Sequence, residues 1–192
     1  MTTPESATAE IVPDTKDWTW VLERACPACG FDTPGVSATE VAALVRAKAD
    51  AWAALLAGDD AALRRRPDPV VWSPLEYACH VRDVFRICKQ RLELMLSQDD
   101  PSFANWDQDA TAVAERYGEQ DPTAVRADLL AAAQLLAAGF DQVTGDQWQR
   151  TGARSDGARF TVASFARYLI HDPVHHLHDV TAVTAATAVP AG

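Results

Sequence analysis

Trp72-Ser73-Pro74-Leu75-Glu76-Tyr77-Ala78-Cys79-His80-Val81-Arg82-Asp83 is the stretch whose reading decides the fold. Ser73 can cap a helix, and Pro74 fits the first turn, where its missing N–H is not needed. Glu76 stands three residues after the serine, so its carboxylate can reach back to the Ser73 N–H. The spacing predicts a helix that reaches Leu96. Tyr77, Val81, Val84, Cys88, Leu92 and Met95 recur at helical intervals and form its apolar stripe. His80 lies along one edge of that stripe, in line with Tyr77, Val84 and Ile87, and therefore points toward the packed side.

Working outward, Ser37-Ala38-Thr39-Glu40 repeats the capping spacing and predicts a helix over 38–57, with Val41, Leu44, Val45, Trp52, Leu55 and Leu56 on its apolar side and Gly58 as its stop. Loop residues follow to Trp72. The looser region from Asp99 to Gly118, which includes Asn105-Trp106-Asp107, has room for one short helix. Asp121-Pro122 opens a third long helix through Leu129, Leu130, Leu135, Leu136 and Phe140. Between Trp148 and Phe160, two short arms flank the turn formers Gly152-Ala153-Arg154-Ser155-Asp156-Gly157, the pattern of a small hairpin. Thr161 can cap a final helix that fades near Thr184. Four long helices without a strand series predict an all-α, antiparallel four-helix bundle with elaborated loops and one small hairpin before the last helix. The expected organisation is a disordered tail over residues 1–17, one helical-bundle domain over 18–184 and a flexible tail over 185–192.

Composition narrows the function. The 192 residues suit one domain, and an apolar fraction of 48% suffices for an ordinary core. A net charge of −10, with no basic cluster larger than Arg64-Arg65-Arg66, argues against a surface that tracks nucleic acid. Residues 1–17 lack the basic start and apolar core of a secretory signal, and no run of about 18 apolar residues suggests a membrane span. Four cysteines, Cys26, Cys29, Cys79 and Cys88, are too few for a secreted disulfide scaffold of this size. A cytoplasmic protein with free thiols is expected. The excess of arginine over lysine and the abundance of alanine suggest a GC-rich genome.

Four of the five histidines lie in His171-Asp172-Pro173-Val174-His175-His176-Leu177-His178. On a helix His171, His175 and His178 form a column. Residues four apart on one helix can hold a single ion with a third ligand from elsewhere. His171 and His178 are separated by roughly 10 Å of helix rise, too far for both to reach one ion; His171 with His175 supplies one pair, and His175 with His178 competes with it. His176 points well away from the column and is expected outside the ligand set. Pro173 either aims the pair through a kink or breaks the column. The bland alternative is a solvated face, because Val162, Phe165, Leu169, Ile170, Leu177 and Val180 occupy the opposite side. Ser164, Arg167 and Tyr168 continue the histidine face as plain surface or as the wall of a cleft.

The stretch from Trp72 to Asp83, followed by the terminal His171-Xaa-Xaa-Xaa-His175, resembles the DinB-like superfamily, which includes thiol-dependent S-transferases. The resemblance covers about Ser37 to Val180 and rests on diffuse motifs. It implies a four-helix bundle in which one histidine of the second long helix and two of the last hold a divalent metal, which by position are His80, His171 and His175. Pro173 departs from the pattern. The resemblance further implies zinc or nickel as cofactor, mycothiol or bacillithiol as co-substrate, and a transferase or isomerase reaction. The GC-rich composition suits mycothiol.

Arg167 and Tyr168 are candidates for holding a substrate carboxylate, and His178 is a bystander or supporting residue. Two other functions stay open: a metal-dependent hydrolase, and a non-enzymatic, stress-related or regulatory bundle with a structural or sensing metal. A small molecule or low-molecular-weight thiol is the expected partner, with self-association into a homodimer also open.

Cys26-Pro27-Ala28-Cys29 is half of a zinc-ribbon pattern without its second half, and it lacks the βαβ setting of a thioredoxin-like motif. A reversible disulfide, a zinc shared with another chain and two sulfurs approaching the bundle metal are its functional readings. A tight turn packed against Trp18 or Trp20 is favoured over them. There is no Gly-Xaa-Ser-Xaa-Gly elbow and no glycine-rich phosphate loop.

Overall fold

The computed structural model describes residues 11–12 and 16–187 of the chain, and most of the expected N-terminal tail and the end of the C-terminal one lie outside them. Six α-helices follow in chain order: α1 (Val41–Leu55), α2 (Asp60–Arg64), α3 (Pro74–Ser97), α4 (Gln108–Ala114), α5 (Pro122–Asp141) and α6 (Val162–Thr187). The four long ones, α1, α3, α5 and α6, build the bundle, and their buried faces join in one core.

Helix α3 begins as its sequence dictates. Ser73 Oγ accepts from the Glu76 N–H at 3.3 Å, and Glu76 Oε2 accepts from the Ser73 N–H at 2.7 Å. Arg66 donates to the same carboxylate through Nη2 at 2.6 Å and Nε at 3.0 Å, so the start of α3 is tied to the loop before it. Burial opposes ionisation of Glu76, but the hydrogen bonds from Arg66 and Ser73 hold its carboxyl below the usual range. Asp121 caps α5 by accepting from the Thr123 N–H at 3.1 Å, and Thr161 Oγ1 caps α6 by accepting from the Ser164 N–H at 3.0 Å.

Packing places α5 between α1 and α3, and α6 also touches both, so α1 and α3 sit diagonally across the bundle. Consecutive long helices are therefore not all neighbours. The connection between α1 and α3 crosses the bundle with the single-turn helix α2, where sequence patterning predicted only loop. Helix α5 is long and apolar enough, by composition, to cross a membrane. Its Val125, Leu129, Ala133, Leu136 and Phe140 are buried in the protein core, which accounts for that composition.

The predicted hairpin is present as β2 (Thr151–Arg154) and β3 (Arg159–Thr161), antiparallel with Gly152 opposite Phe160. Gly157 turns the hairpin at φ 98°. A Cβ on Gly152 would lie 2.8 Å from Met95 Cγ, so only glycine lets the hairpin press onto α3. The hairpin is the edge of a three-stranded sheet, because β1 (Ser102–Phe103) pairs parallel to β2. Two residues are too short to show a period, which is why β1 leaves no signal in the sequence.

Pro173 does not interrupt α6, which runs unbroken past it. The Trp52 indole N–H donates to the Pro173 carbonyl at 3.0 Å in the buried interface between α1 and α6. That bond fixes the rotation of α6 at the turn where the histidines project.

Candidate metal centre

Successive residues on a helix are about 100° apart, so a pair at i and i+4 has a neighbour pair at i+1 and i+5 on the adjoining face. In α6 these pairs are His171 with His175 and Asp172 with His176. They point to different partners. Asp172 and His176 meet His80 from α3, and the three ligand atoms lie within 4.8 Å of one another. His171 and His175 meet Cys26 and Cys29 from the segment before α1, again with all ligand atoms within 4.8 Å. The set His80, His171 and His175 expected from sequence does not converge; it is divided between the two clusters. His176, placed by its helical angle outside the ligand set, lies beside His80 instead. The angular estimate was sound, but the partner helix faces Asp172 and His176, one residue further round.

In the first cluster His80 Nε2 is 3.2 Å from Asp172 Oδ2, and His176 Nε2 is 3.8 Å from the same oxygen. Trp106 stacks on the His80 ring at 5.3 Å with planes 8° apart, and Tyr77 lies against His176 at 4.7 Å. These aromatic walls restrict how either imidazole can turn. Burial raises the Asp172 carboxyl, but the neighbouring His80 and His176 outweigh it and bring it down to about 2. It is an anion at neutral pH. His80 Nδ1 and Asp172 Oδ1 are buried with no hydrogen-bond partner among the described residues. Orphaned buried polar atoms are costly, and a divalent cation satisfies such atoms directly. Two imidazoles and a carboxylate are an ordinary donor set for zinc and related ions, so the residues present fit the metal that the fold family implies.

The second cluster holds Cys26 Sγ at 3.7 Å from His175 Nδ1 and Cys29 Sγ at 3.8 Å from His171 Nε2. Burial, then the adjacent His175, pushes the His171 imidazole down to about 4, and burial also lowers His175. Both are neutral at pH 7, with lone pairs available. The four cysteines form no disulfide with one another in this structure.

A cleft of about 560 Å³ is lined by His80, Asp172 and His176, together with Arg91, Arg154 and Tyr168. Tyr168 therefore faces the cleft, and its hydroxyl accepts from Arg154 Nη1 at 3.0 Å. Arg154 is committed to Asp156 at 2.8 Å. Arg91, not singled out from sequence, is different: its Nη2 donates to the Ala104 carbonyl at 2.9 Å, and no carboxylate stands within ion-pair distance among the described residues. Burial works against its charge. Its position on α3, three residues after Cys88 at the stripe's edge, was the only signal available. Arg167 leaves the cleft and donates through Nε to the Val36 carbonyl at 2.9 Å, fastening α6 to the segment before α1. His178 joins neither cluster, and 46% of its side chain is exposed.

Comparison with known proteins fits this geometry. A search of curated proteins finds no matching sequence. Among solved structures the fold is similar to one described as "YfiT from Bacillus subtilis is a probable metal-dependent hydrolase with an unusual four-helix bundle topology", with TM-score 0.63, 18% identity and coverage of 94% of this chain and 95% of that chain. The profile of the DinB superfamily matches residues 43–180, a span that holds α3 with His80 and α6 with Asp172 and His176. The chain belongs to the DinB superfamily.

Proposed function

We propose that the protein is a divalent-metal-dependent enzyme in which His80, Asp172 and His176 hold the ion and a small thiol of the mycothiol type, or water, is the nucleophile. The convergence of these three side chains on a cleft, with two of their buried polar atoms unpartnered, carries the reading. When bound, the ion supplies a Lewis acid that lowers the pKa of a thiol or water brought to it.

The chain's own residues do the rest. Asp172 contributes the negative charge that makes the set selective for a cation, while Trp106 and Tyr77 hold the two imidazoles in orientation. Arg91 stands over the Phe103 ring at 5.1 Å and donates to the Ala104 carbonyl, and these contacts fix the direction in which it offers its remaining N–H groups to an anionic group of the substrate or thiol. Arg154 and Tyr168 form a second polar wall whose charge is balanced by Asp156. The thiol version draws on the thiol-dependent transferases of the superfamily. The water version draws on the hydrolase description of YfiT. The free thiols suit a reducing cytoplasm.

The test uses untagged protein loaded with zinc or nickel, a bimane electrophile and either mycothiol or no thiol. Metal-dependent conjugation of mycothiol that disappears in Asp172→Asn supports the transferase. Metal-dependent cleavage of an activated ester without thiol supports the hydrolase instead. Metal content unchanged by Asp172→Asn overturns the proposed centre, and absence of any metal-dependent turnover or binding of thiol overturns the enzymatic reading.

A further inference from the structure

The second cluster is chemically unlike the first. Two thiols and two imidazoles, drawn from separate parts of the chain, form a complete tetrahedral donor set by themselves. With zinc–sulfur bonds near 2.3 Å and zinc–nitrogen bonds of 2.0–2.1 Å, the sulfur-to-nitrogen edge of a tetrahedron is about 3.6 Å. The observed edges are 3.7 Å for Cys26 with His175 and 3.8 Å for Cys29 with His171. Thiol–imidazole hydrogen bonds have similar lengths, so the distances show that the four donors already stand at the spacing a zinc ion needs, and convergence of all four on one point adds what two separate hydrogen bonds do not require.

A second observation concerns the far side of a ligand. His175 turns Nδ1 to Cys26, while its Nε2 faces the Asp179 carboxylate at 3.6 Å. A histidine that binds metal through one nitrogen commonly presents the other to a carboxylate, which fixes the tautomer and the ring plane. The loop is shaped to match. The Gly30 N–H donates to the Cys26 carbonyl at 2.8 Å, the Cys26 N–H donates to the Phe31 carbonyl at 2.9 Å, and Gly30 takes φ 73°, so the chain folds back and both thiols face α6. Cys26 is 2% exposed and His171 4%. Cys29 and His175 are half-buried, and His171 and His175 border the same cleft as the His80 cluster, so the two clusters differ in donor set, four protein donors here against three there.

We propose that Cys26, Cys29, His171 and His175 form a second metal site, a four-ligand structural centre for zinc that fastens the segment before α1 to α6 and sets one wall of the cleft. The wall is Trp18, which lines the cleft and lies 5.4 Å from the His171 ring and 5.0 Å from the His175 ring. The ion replaces a packed core in a segment too short to build one, since the 3-10 helix over Trp18–Leu22 buries only Val21. Because His171 precedes Asp172 and His175 precedes His176, the structural centre also holds the two α6 residues of the open cluster in register. The site stands independently of the enzymatic reading above, which concerns other ligands.

Zinc content and zinc-edge X-ray absorption of untagged protein purified from zinc-supplemented cells test the proposal. The wild type is expected to show two sulfur neighbours at about 2.3 Å. Cys26→Ser combined with Cys29→Ser should lose one equivalent of zinc and the sulfur shell, with affinity at that site falling on the order of 100-fold or more. Asp172→Asn should retain the sulfur shell while metal at the other cluster falls. Should the double variant not fold, mercurial modification of the native wild type decides: release of one zinc as two thiols react supports the site. Zinc without sulfur neighbours, unchanged zinc in the double variant, or thiol modification that releases no metal each overturns it.

Discussion

One turn of α6 presents two adjoining faces with opposite characters. The face of His171 and His175 is met by two thiols that complete a set of four protein donors, whereas the face of Asp172 and His176 is met by one imidazole and has three, which leaves coordination open; both border the cleft. Soft, fully protein-filled donor sets hold zinc permanently; harder sets of nitrogen and oxygen with access to a cleft leave room for another molecule. On the two proposals above, a rotation of one residue along a helix separates a structural role from a catalytic one.

Breaking the open face should have the largest effect. Asp172→Asn removes the anion of the cluster while keeping its shape, and loss of metal assistance worth about 4 kcal/mol lowers turnover roughly 1000-fold. Circular dichroism and melting should change little. If activity and the sulfur-bound zinc fell together in this variant, the two faces would not be separate sites.

Breaking the sulfur-bearing face should act on stability. Cys26→Ser with Cys29→Ser forfeits the linkage energy of a bound ion, about 3 kcal/mol when zinc stands a hundredfold above its dissociation constant. Denaturant titrations with and without added zinc measure it: the wild type should respond and the double variant should not. Hydrogen exchange should rise first around Trp18–Leu22, whose attachment to α6 depends on that site. Protection of that helix unchanged in the double variant would show that ring packing alone secures it.

How much of this was legible in the sequence differs between the two faces. The bundle was readable because Ser73, Pro74 and Glu76 at one helix start, and Asp121 and Pro122 at another, specify local geometry through bonds that the structure contains. The hairpin was readable from its glycines. Diagonal placement of α1 and α3 was not, since periodicity shows which side of a helix is buried and not which helix covers it. The same gap divided the expected metal ligands. Sequence gave i,i+4 pairs on α6, but the choice between His171 with His175 and Asp172 with His176 depends on the rotation set by Trp52 at Pro173. The Asp172-Xaa-Xaa-Xaa-His176 spacing is present in the sequence, but a column defined by histidines alone does not include it. For Cys26 and Cys29 the favoured bland turn did include Trp18, and the structure adds that this tryptophan and both thiols gather around the same two histidines.

Acid pH sharpens the contrast through α3, which supplies only the open face. The Glu76 carboxyl is held below its ordinary value of 4.5, so its contribution is complete above that pH and is lost as pH falls through the lower folded value. Glu76→Gln should cost about 2 kcal/mol at pH 7, with solvent around the partly exposed Arg66 reducing the figure. The variant should also show a flatter loss of stability below pH 4.5. Because His80 lies one turn after Glu76, metal affinity at the open face should weaken in this variant while the sulfur-bound zinc stays. Equal pH profiles for variant and wild type would remove the Arg66–Glu76 pair from the account.

The smallest effect belongs to His178, and it is the sharpest control on the column of histidines. Spacing made it a rival ligand to His171, yet its ring is 46% exposed and its Nδ1 stands 3.6 Å from Asp179 Oδ1, at the margin of an ion pair. His178→Ala should change stability by less than about 0.5 kcal/mol, in keeping with an exposed site outside both clusters. Zinc stoichiometry and the sulfur shell should be unaltered. The remaining route by which it could act is Asp179, which faces His175 Nε2 at 3.6 Å and His176 Nδ1 at 3.5 Å. Asp179→Asn should therefore weaken metal at both clusters, at the sulfur-bearing one about tenfold, while His178→Ala does not, because the carboxylate orients a ligand of each and the exposed imidazole orients none. Equal losses in the two variants would make His178 part of the ligand's support, and the helical column would then extend one turn further than the two clusters require.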